Sequence, residues 1–349
     1  MMALPREKFS RDELAIVLSN YDLGIVAKAG EYPHGSHAAA KVVITTDRGR
    51  YLLKRRPKGQ VDAYRVAFAH DLQRVLVSKN FPLPHLIGTR NQNISMLKTG
   101  DSIYEVYEFM EGGPYDRGLV ATYEAGKTLG LYHKLVREYE PQWDPPHGHY
   151  HASKTVYSSF KSLAKVLLKT KSVRGRENEL ITLLKQIRDT YAAAAKAANK
   201  HGILQWETQI VHSDWHPGNL LFDKGHVVAV IDYDAARIQP RVLDVANGCL
   251  QFSIVTGGRD LSTWKDHTDQ LRAKRFLRGY DEVNRLTKAE LVIIPFLMQE
   301  VLIAQAIPTI LKTGTFAGLN GFHFLKVVYR KMRWLDENQN CLTLDTSDD

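Results

Sequence analysis

Apolar and polar positions change their rhythm along the chain. From about Gly24 to Phe109 the apolar residues come in short runs. Residues 41–46 (Lys-Val-Val-Ile-Thr-Thr) are rich in β-branched side chains, 47–50 (Asp-Arg-Gly-Arg) read as a turn, and Tyr51, Leu52 and Leu53 resume the apolar run up to Lys54. That order predicts a β-hairpin. Across 63–79, Val66, Ala69, Leu72 and Leu76 recur at threes and fours, which predicts a helix stopped by Pro82 and Pro84. Strands are predicted at 94–97 and 103–109. After Glu111, Gly112, Gly113 and Pro114 the rhythm becomes helical, with helices predicted at 121–136, 156–169, 177–199, 271–286 and 288–311. One β-rich island, 210–238, interrupts them. The reading is an α+β, two-lobed chain: a small N-terminal sheet lobe over 1–111 and a larger, mainly helical lobe over 112–349.

Composition narrows the class. The 349 residues are 44% hydrophobic and 24% charged, which is ample for a core. Cys249 and Cys341 stand far apart with no C-x-x-C spacing, so neither a disulfide scaffold nor a zinc site is expected. The first residues lack the apolar stretch of a signal peptide, and a cytoplasmic location is expected. The most hydrophobic stretch, 291–311, carries Pro295, Gln299, Glu300, Gln305 and Pro308, and reads as a buried helix or helix pair rather than a membrane span. The net charge of +9 is spread widely and accompanies no nucleic-acid motif. It is taken as a solvated basic surface, so neither nucleic acid nor membrane is expected as a partner.

Candidate chemistry concentrates in one segment. Residues 211–222 read V-H-S-D-W-H-P-G-N-L-L-F, and after a short turn 227–234 read V-V-A-V-I-D-Y-D. Phosphoryl transfer needs a carboxylate to orient a hydroxyl and take its proton, and oxygen ligands for Mg²⁺ on the phosphates. Asp214 with Asn219 five residues on supplies the carboxylate and one ligand. Asp232, at the end of the next predicted strand, supplies the other. Taken singly, Asp214 has the plain reading of a helix cap, Asn219 of a turn residue and Asp232 of a strand-ending turn former. Their joint occurrence points to phosphoryl transfer.

These motifs resemble the catalytic loop and metal-binding segment of the aminoglycoside phosphotransferase superfamily, which includes choline kinases, homoserine kinase-like and spore-coat kinase-like branches and is distantly related to protein kinases. The resemblance covers roughly 21–338 and is most specific over 211–246. It implies a protein kinase-like two-lobed fold and an ATP- and Mg²⁺-dependent kinase acting on a small hydroxyl acceptor. Asp214 is then the catalytic base, Asn219 and Asp232 the metal ligands. His212 and His216 shape the loop, and Asp244 in Leu-Asp-Val-Ala braces it. In the N-terminal lobe Lys54 takes the position that contacts the α- and β-phosphates, with surface base as its plain alternative. Gly35 and Ser36 lie in the turn over the phosphates, and the backbone of Glu108 and Met110 meets the adenine edge. Asp234 is either a supporting partner or a turn residue.

Two departures from the family pattern follow. The helix predicted at 63–79 has no Glu to pair with Lys54, so the partner is Asp71 or none, and the alternative function is a catalytically weak kinase-like binding or structural protein. Ser213 stands where the family commonly has glycine. The acceptor stays open among amino alcohols, amino sugars and sugars. Few acidic residues lie near the catalytic loop, which disfavours a polycationic aminoglycoside. Candidate acceptor-lining residues are Trp143, Asp144, Trp215, the 257–260 loop and the 322–324 region. The histidines of 147–151 read as an exposed loop rather than a metal site.

Overall fold

The computed structural model describes residues 7–32, 39–56 and 62–342. The described residues form two compact units, one from those within 7–115, 138–146 and 218–236, the other from 116–137, 147–217 and 237–342. Segments 138–146 and 218–236, downstream of the expected boundary near 112, therefore belong with the N-terminal sheet.

In the first unit, helix α1 (Arg11–Leu18) opens with a capping box between Ser10 and Glu13. Strands β1 (Val26–Glu31), β2 (Ala40–Thr46) and β3 (Gly49–Arg55) follow, then α2 (Ala63–Ser78), β4 (Leu86–Ile87), β5 (Leu97–Thr99) and β6 (Ser102–Glu108). The strands form one antiparallel sheet in the order β1-β2-β3-β6-β4, with β5 also against β6. The β2–β3 hairpin matches its sequence pattern, with Gly49 at φ +143° closing the turn. β2 alternates buried and half-buried positions, so Val42 and Ile44 join Val17, Leu53, Tyr104 and Val106 in the core. Each such side chain contributes roughly 1.5–3 kcal/mol on burial. Asp62 caps α2 through the Tyr64 N–H, and the chain leaves the helix with Asn80 at φ +57° before Pro82.

The island at 210–238 is split between the units. Strands β7 (Thr208–Val211) and β10 (Arg237–Pro240) pair with one another in the helical unit, whereas β8 (Leu220–Asp223) and β9 (His226–Val230) form a hairpin in the first. Reciprocal backbone bonds between Gly113 and Phe222, at 2.7 and 2.9 Å, tie that hairpin to the segment after β6. The Val230 N–H donates to the Pro82 carbonyl at 2.9 Å. Segment 138–146 is held to α2 by Asp71, which accepts from the Tyr139 hydroxyl at 2.6 Å.

The second unit holds α3 (Leu119–Leu135), α4 (Lys154–Leu167), α5 (Glu177–Lys200), α6 (Arg241–Ser253), α7 (Gln270–Val283), α8 (Lys288–Thr313) and α9 (Gly321–Glu337). α3 and α7 approach so closely that a Cβ at Gly126 would lie 1.9 Å from the Phe276 carbonyl oxygen, and one at Gly279 2.1 Å from that of Tyr123. α8 is one continuous helix through both prolines. It is long and apolar enough to cross a membrane, yet Ile293, Leu297, Val301 and Ile307 are buried inside the unit.

Candidate active site

In the helical unit, β7 ends at Val211 and the chain turns into the loop carrying Asp214. The turn is held by Asp244 in the first turn of α6: Oδ2 accepts the His212 N–H at 2.9 Å and Oδ1 the Ser213 N–H at 3.0 Å. Ser213 adopts φ +63°, a left-handed conformation that glycine enters without penalty, which accounts for the glycine common at this place in the resembling family. The Asp214 N–H donates to His212 Nδ1 at 3.3 Å, leaving the proton of that ring on Nε2. His212 is fully buried, edge-on to the buried ring of Trp215. His216 Nε2 lies 3.5 Å from Asp214 Oδ2.

Sequence reasoning missed His133. Its Nε2 donates to Asp244 Oδ2 at 3.2 Å, and its Nδ1 accepts from the Tyr280 hydroxyl at 2.8 Å. Burial lowers its pKa, more than the neighbouring Asp244 raises it, so the ring is neutral and gives Asp244 a third donor. A histidine on a helix that is otherwise a core helix carries no signal of this in sequence.

In the sheet unit, one cavity is lined by Leu52, Lys54, Glu108, Met110, Ile231 and Asp232. Asp232 follows β9 at φ +67°. Asn219, buried at the foot of β8, accepts the Ile231 N–H on its backbone oxygen at 2.9 Å, which couples it to the segment that leads from β9 to Asp232. The Glu108 N–H donates to the His85 carbonyl at 2.8 Å. Gly35 and Ser36 lie outside the described residues.

The partner expected for Lys54 is different. Asp71 is taken by Tyr139 and Arg74, and the carboxylates that face Lys54 Nζ are Glu105 Oε2 at 3.9 Å and Asp234 Oδ2 at 3.5 Å. The reason is register: Lys54 and Glu105 are directly opposed on β3 and β6, so their side chains share one face. Arg56, two residues along, points to the same face. It binds both Asp234 oxygens at 2.8 Å and Glu105 Oε1 at 2.7 Å. His70 Nε2 lies 2.5 Å from the same Glu105 oxygen. Burial alone would raise the Glu105 pKa; the His70 bond and the Lys54 and Arg56 charges outweigh it and bring it to about 2. Burial is likewise outweighed at Asp234, held well below the usual carboxylate range by Lys54 and Arg56. Asp234 is thus a supporting partner. The alternation Lys54–Arg56 was visible in sequence; the partner strand and its register were not.

Other expectations are corrected. Trp215 and Phe322 are fully buried and cannot line an acceptor pocket. His151 is not in an exposed loop: it is buried against Glu300 at 2.8 Å and Asn199 at 2.9 Å. No cluster of metal-ligating side chains occurs there among the described residues.

Compared with curated protein sequences, the chain has no significant match. Among solved structures it resembles an aminoglycoside phosphotransferase from Alicyclobacillus acidocaldarius (17% identity, 93% of this chain and 95% of that one, TM-score 0.65). It also resembles the amicoumacin kinase hAmiN, solved in complex with AMP-PNP, Ca²⁺ and Ami (13%, 95% and 94%, 0.66). A third is the microcompartment-associated aminopropanol kinase (13%, 92% and 95%, 0.65). At these identities the likeness speaks for the fold alone. The family model of the phosphotransferase enzyme family matches residues 29–286, well over half of the chain. With its mixed α/β, kinase-like fold, the chain therefore belongs to the phosphotransferase enzyme family.

Proposed function

We propose that this enzyme transfers the γ-phosphoryl group of ATP, with Mg²⁺, to a hydroxyl of a small polar acceptor such as an amino alcohol, an amino sugar or a sugar. The observation that carries the proposal is the cavity whose lining brings the Lys54 cation and the Asp232 carboxylate together with the apolar side chains of Leu52 and Ile231. That lining suits a nucleotide: apolar walls for a base, a lysine for phosphate, a carboxylate for a hard divalent cation.

In this reading the Glu108 carbonyl and Met110 backbone meet the adenine edge, and Lys54 pairs with the α- and β-phosphates. Asn219 and Asp232 hold Mg²⁺, whose charge would offset that of the phosphates. Asp214 orients the acceptor hydroxyl and takes its proton, on a loop shaped by His212 and His216 and braced by Asp244. Gly35 and Ser36 would cover the phosphates. The missing helix glutamate favours the alternative of a catalytically weak descendant; Glu105 and Asp234 beside Lys54 support the active reading. Cytoplasmic location, with no nucleic-acid or membrane partner, belongs to the same proposal.

Calorimetric titration with ATP, with and without Mg²⁺, beside Asp232→Ala tests it. Mg²⁺-dependent binding that the variant loses supports the site and opens an acceptor screen with amino alcohols and sugars. No binding of ATP in either condition refutes it.

A further inference from the structure

Glu105 is a fully buried carboxylate whose two oxygens are used unequally. Oε1 is bound by Arg56 at 2.7 Å and by His70 at 2.5 Å. Oε2 makes no hydrogen bond and faces Lys54 Nζ at 3.9 Å. A buried carboxylate oxygen without a donor is costly unless a charge compensates it. The arrangement thus clamps the carboxylate by one oxygen and turns the other, undamped by hydrogen bonding, toward the lysine. In protein kinases a strand lysine is held by a glutamate on the helix after it. Here that helix is α2, which carries His70 instead.

We infer that Glu105 on β6 is a positioning residue for Lys54, beside the nearer Asp234 at 3.5 Å, and that the charges which set the phosphate-binding lysine come from the neighbouring strand and the metal-binding segment rather than from the helix. This rests on the proposed contact of Lys54 with nucleotide phosphates. Three features combine. Backbone register places the two side chains on one face of the sheet. The Arg56 guanidinium joins Glu105 to Asp234, two residues beyond Asp232, so the lysine, its carboxylate and the metal-binding segment are tied together within one unit. His70 fills the place from which a helix carboxylate would otherwise act, within hydrogen-bond distance of Glu105. Glu105 touches no substrate in this scheme; it acts through Lys54.

The test compares affinities for MgATP and for adenosine, which lacks the phosphates. Glu105→Gln should weaken MgATP binding about tenfold while leaving adenosine binding unchanged. Adding His70→Glu to Glu105→Gln returns a carboxylate to the same place from the helix and should restore most of the MgATP affinity, a rescue that a merely structural role would not produce. If Glu105→Gln does not fold, Glu105→Asp, which draws the carboxylate back from Lys54, should show a smaller loss of the same phosphate-specific kind. Equal losses for adenosine and MgATP, no loss for either, or no rescue would each overturn the inference. Lys54→Met separates it from the underlying reading. Unchanged MgATP affinity in that variant removes the phosphate contact itself, and this inference with it. Weakened affinity there, with Glu105→Gln like the wild type, leaves the contact standing and removes only Glu105.

Discussion

Asp244 Oδ1 accepts the backbone N–H of Ser213 at 3.0 Å, at a residue held in the left-handed region with φ +63°. The carboxylate thereby stabilises a conformation that serine resists, and the buried Ser213 hydroxyl gains no hydrogen bond in exchange. Ser213→Gly should raise stability by about 0.5–1 kcal/mol, since the strain and the unpaired hydroxyl both disappear. Asp244→Ala strands three donors, from His212, Ser213 and His133, and should cost at least about 3 kcal/mol. Chemical denaturation of both variants checks these signs.

Asp214→Asn removes the proposed base and keeps the shape of the side chain. Phosphoryl transfer should fall by about 10²–10⁴-fold with MgATP affinity within about twofold of wild type. Steady-state kinetics on the acceptor found by screening, together with calorimetry, measures both. Retained turnover would take the role of base away from Asp214.

Asp232→Ala and Asn219→Ala act on the metal. The first should abolish the Mg²⁺-dependent part of ATP binding, and the second should raise the Mg²⁺ concentration needed for half-maximal binding. Titrating Mg²⁺ at fixed ATP distinguishes them from Lys54 variants, whose defect added metal should not repair.

Glu105 makes acid stability a reporter. Its folded pKa of about 2 lies below the ordinary 4.5, so its contribution is complete above pH 4.5 and is lost as pH falls toward 2. The stability difference between wild type and Glu105→Gln should be largest above pH 4.5 and shrink steadily below it. Urea unfolding at a series of pH values measures the difference; a pH-independent gap would contradict the depressed pKa.

The α3–α7 crossing should be intolerant of any side chain. Gly126→Ala would set a Cβ against the Phe276 carbonyl, backbone that cannot swing aside, at a cost of about 2–3 kcal/mol. Gly258→Ala, where a Cβ meets nothing within 4 Å, is the matched control and should be neutral in thermal unfolding.

Much of this protein is legible along the chain because the relevant information is local. The helices predicted at 121–136, 156–169 and 177–199 stand as α3, α4 and α5 within a few residues, since amphipathic periodicity and caps lie within the segment that they shape. The D-x-x-x-x-N spacing and the Asp ending the next strand are equally local, and they carried the family resemblance that the family match bears out. α1 and α9 are absent from that reading although they too carry local marks, a capping box at Ser10 and Glu13 and an amphipathic run capped by Asn320.

What sequence order does not contain is which distant residues meet. The β-rich island looked like one element, and tertiary contacts divided it, giving β8 and β9 to the sheet unit and β7 and β10 to the helical one. The family pattern, with its partner on the following helix, points to Asp71 or to none for Lys54; sheet register places Glu105 opposite it, 51 positions away along the chain. His133 and Asp244 are 111 residues apart and meet only because α3 and α6 pack together. By itself the sequence determined the periodic elements and the spacing of the acidic and amide groups, because each rests on neighbours in the chain. The charge network around Lys54 and the part of His133 in holding Asp244 under the Asp214 loop were decided only by tertiary structure, because pairing register and helix packing bring together groups that no local pattern connects.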